Sequence, residues 1–201
     1  MSMTRFYLVR HGNTNAGDRL VGRTEGFPLS ENGREQINYI AGKYLKQVKF
    51  DKFLCSPIER TRESARIICG YINMEPEVNQ SLNEIDFGEW TGKSFDELEK
   101  DQNWKLFHSS RSTSQIPGGE SIGNIYKRVV DLIVELNQSF PEGSVLLVTH
   151  AEVIRIIFSH FSGMHLNDSY KIRIDTGSLS ILSINNGGAF IESINLPGSD
   201  I

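Results

Sequence analysis

Residues 145–158 read VLLVTHAEVIRIIF, and the change of rhythm inside this stretch decides the fold. Val145 to Val148 are all apolar and Thr149 closes the run. That is too short for a helix and lacks the polar alternation of a half-exposed strand, so it suits a strand buried on both faces of a parallel sheet. Past His150 the period changes. Ile154, Ile157 and Phe158 recur at three- and four-residue steps, which marks a helix packing back on the strand.

The same switch occurs twice more, after Phe6 to Val9 and after Phe50 to Cys55. Strands alternating with helices predict an α/β sheet. The first of these helices carries Ile37, Ile40, Ala41, Tyr44, Leu45 and Val48 on one face, with Ser30 as its N-cap. The second opens at SPIERTRESARII, residues 56–68, where Ser56 can cap, Pro57 fits the first position and Glu59 completes a capping box. Another runs through Ile122, Ile125, Val129, Leu132, Ile133 and Leu136. Residues 178–194, SLSILSINNGGAFIESI, read as strand, Gly-rich turn and strand, antiparallel at the sheet's edge.

The chain has 201 residues, 38% hydrophobic and 23% charged, enough for one compact domain over residues 1–201. No repeat, low-complexity tract or long linker divides it. A net charge of −4 provides no basic field for nucleic acid, so an anionic ligand must be held by a local cluster of cations. No apolar run is long enough to span a membrane and the N-terminus has no signal-peptide pattern, so a cytoplasmic protein is expected. Cys55 and Cys69 lack the number and spacing of a disulfide scaffold or a zinc site and read as reduced thiols.

Ligands of open α/β sheets bind at the carboxyl ends of the parallel strands. Here those ends carry Arg10 with His11, Ser56 leading to Arg60, and Thr149 with His150. Guanidinium groups match the paired oxygens of a phosphate, and Arg60 falls in a first helical turn, where free N–H groups also favour an anion. The expected ligand is a phosphoryl group. Two histidines could also suggest zinc, but the arginines beside them would repel a divalent cation and no third ligand is evident, so neither a metal nor a cofactor is expected.

The segments LVRHGNT (8–14), SPIERTRESA (56–65), LNEIDFGEWTG (82–92), PGGES (117–121) and LLVTHAEVIR (146–155) resemble, in the same order, the motifs of the histidine phosphatase superfamily. The likeness covers most of the chain and lies in the branch with phosphoglycerate mutases and α-ribazole phosphatases. It implies a three-layer αβα sandwich, mostly parallel with an antiparallel edge strand. It also implies a phosphatase that acts on a small phosphorylated substrate. His11 would attack phosphorus and become a phosphohistidine, Arg10, Arg60 and His150 would bind the phosphoryl oxygens, and Glu84 would be the acid. Chemistry agrees, because an imidazole flanked by arginines stays neutral and keeps a lone pair for attack. Asp86, Glu89 and Glu120 are alternative acids by position, and Arg62 is an alternative to Arg60. PGGES would border the site.

Family phosphatases also resemble this chain at GRTEGFPLS, residues 22–30, and the resemblance adds Asn13, Arg23 and Thr24 as substrate contacts. Family mutases are usually longer between the acid and the second histidine, so the short form favours water as phosphoryl acceptor; α-ribazole phosphate or a sugar phosphate are the expected esters. The alternatives are a phosphoglycerate mutase and a non-catalytic phosphate-binding module. Residues 101–116, DQNWKLFHSSRSTSQI, are expected to form a loop that covers the site and selects the substrate; Trp104 and Phe107 with nearby Arg111 could grip an organic phosphate, but the commoner role of the two aromatics is to anchor the loop on the core. His108, His160 and His165 fall outside the motifs. Two departures from the family stand out: Gly17 stands where the family commonly has an asparagine that reaches the phosphoryl group, with Asn15 and Asn13 as alternative donors, and Ala151 and Glu152 replace two glycines. Glu152 is expected to face solvent. Oligomeric state has no signature in the sequence.

Overall fold

The structure is a computed structural model in which residues 3–199 are described. Its strands are β1 (Met3–Arg10), β2 (Lys52–Cys55), β3 (Glu77–Val78), β4 (Ser144–Thr149), β5 (Leu179–Asn185) and β6 (Gly188–Leu196). Its α-helices are α1 (Glu31–Ile40), α2 (Glu59–Ile72), α3 (Phe95–Leu98), α4 (Gln102–Ser109), α5 (Ile122–Ser139) and α6 (Ala151–Ser162). The strands form one six-stranded sheet in the order β3-β2-β4-β1-β5-β6. The first four in that order are parallel, while β5 runs antiparallel to both β1 and β6.

Alternation along the strands explains the layers. Phe6 and Leu8 of β1, with Val145 and Leu147 of β4, point into a cluster with Ile125 and Val129 of α5 and Ile154 of α6. Tyr7, Val9, Leu146 and Val148 point the other way, onto Ile37 and Ile40 of α1 and Ala65 and Ile68 of α2. Both faces are therefore buried, which is why these strands are written as unbroken apolar runs. The result is the three-layer α/β arrangement. Each such residue, once buried, contributes roughly 1.5–3 kcal/mol.

Ser30 caps α1 by accepting from the Gly33 N–H, and the helix runs on through Ala41–Leu45 with π-type hydrogen bonds. Ser121 caps α5 by accepting from the Asn124 N–H. The capping box at Ser56 does not form. α2 begins at Glu59, its N-cap is Ile58 with no side-chain cap, and the Ser56 hydroxyl lies 2.8 Å from Nε2 of His150 instead. A stronger partner from β4's end takes the group that local spacing assigned to the helix.

Residues 101–116 also differ from expectation, since they contain α4. Asp101 caps it by accepting from the Asn103 and Trp104 N–H groups, and Trp104 and Phe107, one turn apart, are buried against Phe87 and Trp90. These two aromatics do anchor the segment.

Candidate active site

In register, Arg10 of β1 lies beside Thr149 of β4, and Cys55 of β2 lies beside Val148. Three adjacent strands thus end level, and the residues just past each end are carried to one point. β1 leaves the sheet through Gly12, whose backbone packs against Gly33 of α1; a Cβ on Gly12 would strike the Gly33 carbonyl, and one on Gly33 the Asn13 backbone. Glycine at both positions lets His11 sit in the corner between sheet and helix.

His11 is buried, with Nδ1 2.8 Å from the Gly12 carbonyl, which must accept the ring N–H. The lone pair therefore falls on Nε2, toward which Arg60 Nε donates at 3.2 Å. Burial, then the charges of Arg60 and Arg10, hold the His11 pKa well below its ordinary value. Burial first, then the charge of Arg60, likewise lowers that of His150. The two rings lie 5.3 Å apart, centre to centre, and His150 Nδ1 is 3.3 Å from Arg60 Nη2. Both imidazoles are neutral at pH 7.

Arg60 is buried and also donates through Nη2 to the Gly22 carbonyl at 2.6 Å. Arg10 donates through Nη1 to the Ile174 carbonyl, and burial lowers its pKa to about 10. The remaining nitrogens matter more. Arg10 Nε and Arg60 Nη1 are buried and have no hydrogen-bond partner among the described residues. Donors so placed are costly unless a ligand satisfies them, and an oxyanion is the ligand that two guanidinium groups select.

Glu84 lines the same cleft, its Oε2 4.0 Å from Nδ1 of His150 and its Oε1 accepting from the Ile85 N–H at 2.9 Å. Burial first, then the charge of Glu152, raises its pKa to about 7, the range in which a carboxyl can both give and take a proton. The alternative acids are engaged elsewhere. Glu120 pairs with Arg23 and Arg128, and Asp86 accepts from the Gly88 N–H. Glu89 and Arg62 are absent from the cleft lining.

Asn13, Thr14 and Gly17 also line this cleft of about 220 Å³. The Asn13 side chain already accepts from the Ser30 hydroxyl through Oδ1. Arg23 and Thr24 do not line it. Arg23 instead donates to the Glu84 carbonyl at 2.7 Å and pairs with Glu120, so it braces Glu84. Thr24 is exposed, its N–H closing a turn onto Val21. From GRTEGFPLS the cleft lining takes Gly22 and neither of these two.

Glu152 is likewise corrected. It is buried, not solvent-facing, and is held by Arg111 and Arg155, whose charges keep its pKa below the usual carboxylate value despite the burial. Arg111 itself is completely enclosed, 4.6 Å above the Phe107 ring, and pairs through Nη2 with Glu152, while its Nε and Nη1 have no hydrogen-bond partner among the described residues. Nothing local could reveal a pair 41 residues apart, although Arg155 one helical turn after Glu152 was a readable signal. Sequence spacing also missed Ser56 as the partner of His150, and Arg128, which donates to the Glu84 carbonyl at 3.4 Å.

Comparison with known proteins agrees with this geometry. Residues 6–197 match the histidine phosphatase superfamily (branch 1). The adenosylcobalamin/alpha-ribazole phosphatase of Escherichia coli is 28% identical over 95% of each chain. Phosphoserine phosphatase 1 of Hydrogenobacter thermophilus is 27% identical over 96% of this chain and 93% of its own. The crystal structure of phosphoserine phosphatase from Entamoeba histolytica in complex with 3-phosphoglyceric acid superposes with a TM-score of 0.85, at 27% identity and 96% coverage of both chains. With the match running from the first strand to the last, and the arginines and histidines gathered at one end of the sheet between them, the chain belongs to branch 1 of the histidine phosphatase superfamily.

Proposed function

We propose that the protein hydrolyses small phosphomonoesters through a phosphohistidine on His11. The observation that carries this reading is the neutral His11 ring, with its lone pair on Nε2, beside two buried guanidinium groups that each keep an unpartnered nitrogen.

In the first half-reaction Nε2 of His11 attacks phosphorus as the ester P–O bond breaks, and Glu84 gives its proton to the leaving oxygen. The Gly12 carbonyl, accepting from Nδ1–H, supports the positive charge that grows on the ring. Arg10, Arg60 and His150 meet the charge on the equatorial oxygens. In the second, water attacks phosphorus, Glu84 takes its proton, and the P–N bond breaks to leave inorganic phosphate and neutral His11. One ester and one water give one alcohol and one phosphate.

The relatives named for α-ribazole and phosphoserine phosphatase activity support a small ester as substrate. Phosphate release from p-nitrophenyl phosphate and a panel of phosphorylated metabolites tests the reading. Wild type should release phosphate and pass through an acid-labile phosphoenzyme, and His11→Ala should do neither. Turnover surviving in His11→Ala, or product analysis with 3-phosphoglycerate and a bisphosphoglycerate primer showing isomerisation faster than phosphate release, would overturn it.

A further inference from the structure

The phosphate cleft continues sideways into a second cavity of about 310 Å³, and the two share Arg10, Leu20, Glu84, Phe87 and Phe95. Glu84 stands at the boundary. If Glu84 protonates the leaving oxygen, the second cavity, which Glu84 also lines, is open to the group that oxygen carries. The volume is at the small end of the roughly 300–1,000 Å³ typical of small-molecule sites, so it suits one compact group.

The walls define which group. Phe87, Phe95, Trp104, Phe107 and His108 all face it. Trp104 and Phe107 are stacked with centres 5.9 Å apart and planes 24° apart, while His108 stands edge-on to Trp104 at 4.6 Å. Burial and the nearby Arg111 lower the His108 pKa, so this ring too is an uncharged wall at neutral pH. Flat faces and ring edges favour offset or edge-to-face contact with another flat ring. At the polar end Glu152 and Arg155 line the cavity, with Arg111 behind them. Glu152 is already shared by two guanidinium groups, so this end carries surplus positive charge and is unsuited to an ammonium group.

We infer that this cavity binds a planar aromatic ring in the leaving group of the phosphomonoester, and that α4, through Trp104 and His108, together with Phe95, selects it over short alkyl and amino-alcohol leaving groups. The inference rests on the phosphatase reading but concerns a separate cavity. A wider hollow of about 690 Å³ shares Trp104 and His108 but is otherwise lined by Glu99, Lys105, Ser109 and Tyr170, away from the reacting groups, and does not compete for this role.

Esters with comparably poor alcohol leaving groups separate ring recognition from leaving-group reactivity. Benzyl phosphate should exceed ethyl phosphate and phosphoethanolamine in kcat/KM by about tenfold or more. Phe95 is half exposed, so Phe95→Ala should fold, and it should cut the benzyl-to-ethyl ratio about fivefold, mainly through KM. Phe95→Tyr should restore the ratio. Benzylphosphonate should bind more tightly than methylphosphonate by calorimetry. Equal kcat/KM across the panel, a lead for phosphoethanolamine, or a ratio untouched by Phe95→Ala would overturn the ring assignment while leaving the phosphatase reading intact. Hydrolysis of no ester, with benzylphosphonate still preferred, would overturn the phosphatase reading while leaving the cavity's preference standing.

Discussion

Arg60 places its Nε 3.2 Å from Nε2 of His11, so a cation donates to the lone pair that attacks phosphorus in the proposed reaction. This contact keeps the ring neutral and correctly tautomerised, and a phosphate entering the cleft gives the guanidinium a stronger acceptor in its place. The same side chain reaches His150 and the Gly22 carbonyl through Nη2, a geometry that needs a planar fork.

Arg60→Lys should therefore fail as a conservative change. A point charge on a flexible stem cannot serve three partners, and kcat/KM should fall by about 10²- to 10³-fold, as for loss of a preorganised transition-state donor. Steady-state kinetics against wild type check this, and a loss under about threefold would mean that charge alone is what the site requires.

Glu84→Gln should slow alkyl esters by about 10²- to 10⁴-fold and activated aryl esters much less, because only poor leaving groups need the proton. The wild-type pH profile carries the sign. In the proposed mechanism Glu84 acts first as an acid, so kcat/KM for an alkyl ester should fall as pH rises through about 7, its raised pKa. His11, held neutral by burial and by Arg60, should impose no acidic limb near its ordinary pKa. Comparing the Gln variant removes the substrate's own titration. A wild-type alkaline limb that persists unchanged in Glu84→Gln would assign it to another group.

Stability should show the same groups with opposite signs. Glu84 keeps its proton in the fold above the unfolded value, so between about 4.5 and about 7 the folded state binds more protons and this group's contribution falls as pH rises. His11 and His150 have lowered folded values, so near and below 6.5 the unfolded chain binds more protons and their contribution falls as pH drops. Glu84→Gln should thus become relatively more stable than wild type as pH increases from about 5 to about 7.5. Denaturant titrations at several pH values measure it, and a constant difference would contradict the raised pKa.

The strand-to-helix units were legible because each is written locally, as an apolar run followed by a helical period. Arg10, His11, Arg60 and His150 were legible as a group because strand ends converge by topology. What escaped was decided at a distance. The Ser56 hydroxyl had two available partners, and the choice of His150 over the α2 N–H groups depends on β2 and β4 being neighbours. Glu152 read as a solvent-facing first-turn carboxylate until Arg111 came down from beyond α4 to meet it. Arg23 and Arg128 bind a main-chain carbonyl, that of Glu84, which no side-chain pattern announces.

Ser56→Ala tests the misread cap. Loss of a helix cap would lower stability by about 0.5–2 kcal/mol and leave kinetics alone. Loss of the His150 contact should instead lower kcat several-fold, with about 1 kcal/mol or less of stability lost alongside it. Thermal unfolding and kinetics on one preparation separate the two, and an unchanged kcat would show that Ser56 does not orient His150.

Glu152→Ala leaves Arg111 completely enclosed without its carboxylate, so it should destabilise by about 3–5 kcal/mol, far more than a solvent-facing residue could. In a double-mutant cycle with Arg111→Met, the coupling should be about 0.5–3 kcal/mol. Additive losses in urea titrations would mean that the two charges act independently.

Gly17 offers the converse experiment, adding a group instead of removing one. It lines the phosphate cleft at φ +65°, a left-handed conformation, and a Cβ there would meet nothing within 4 Å. Asparagine is the side chain other than glycine that adopts this backbone most readily, and it brings the amide donor that the family commonly places nearby. Alanine adds the same Cβ with no donor, so it isolates the backbone cost. Gly17→Asn should lower the inhibition constant of inorganic phosphate by an amount worth about 0.5–1.5 kcal/mol, whereas Gly17→Ala should leave it within about twofold while losing some stability. Tighter binding in both variants would trace the effect to a stiffened loop, and no gain with asparagine would mean that its amide does not reach the bound phosphate.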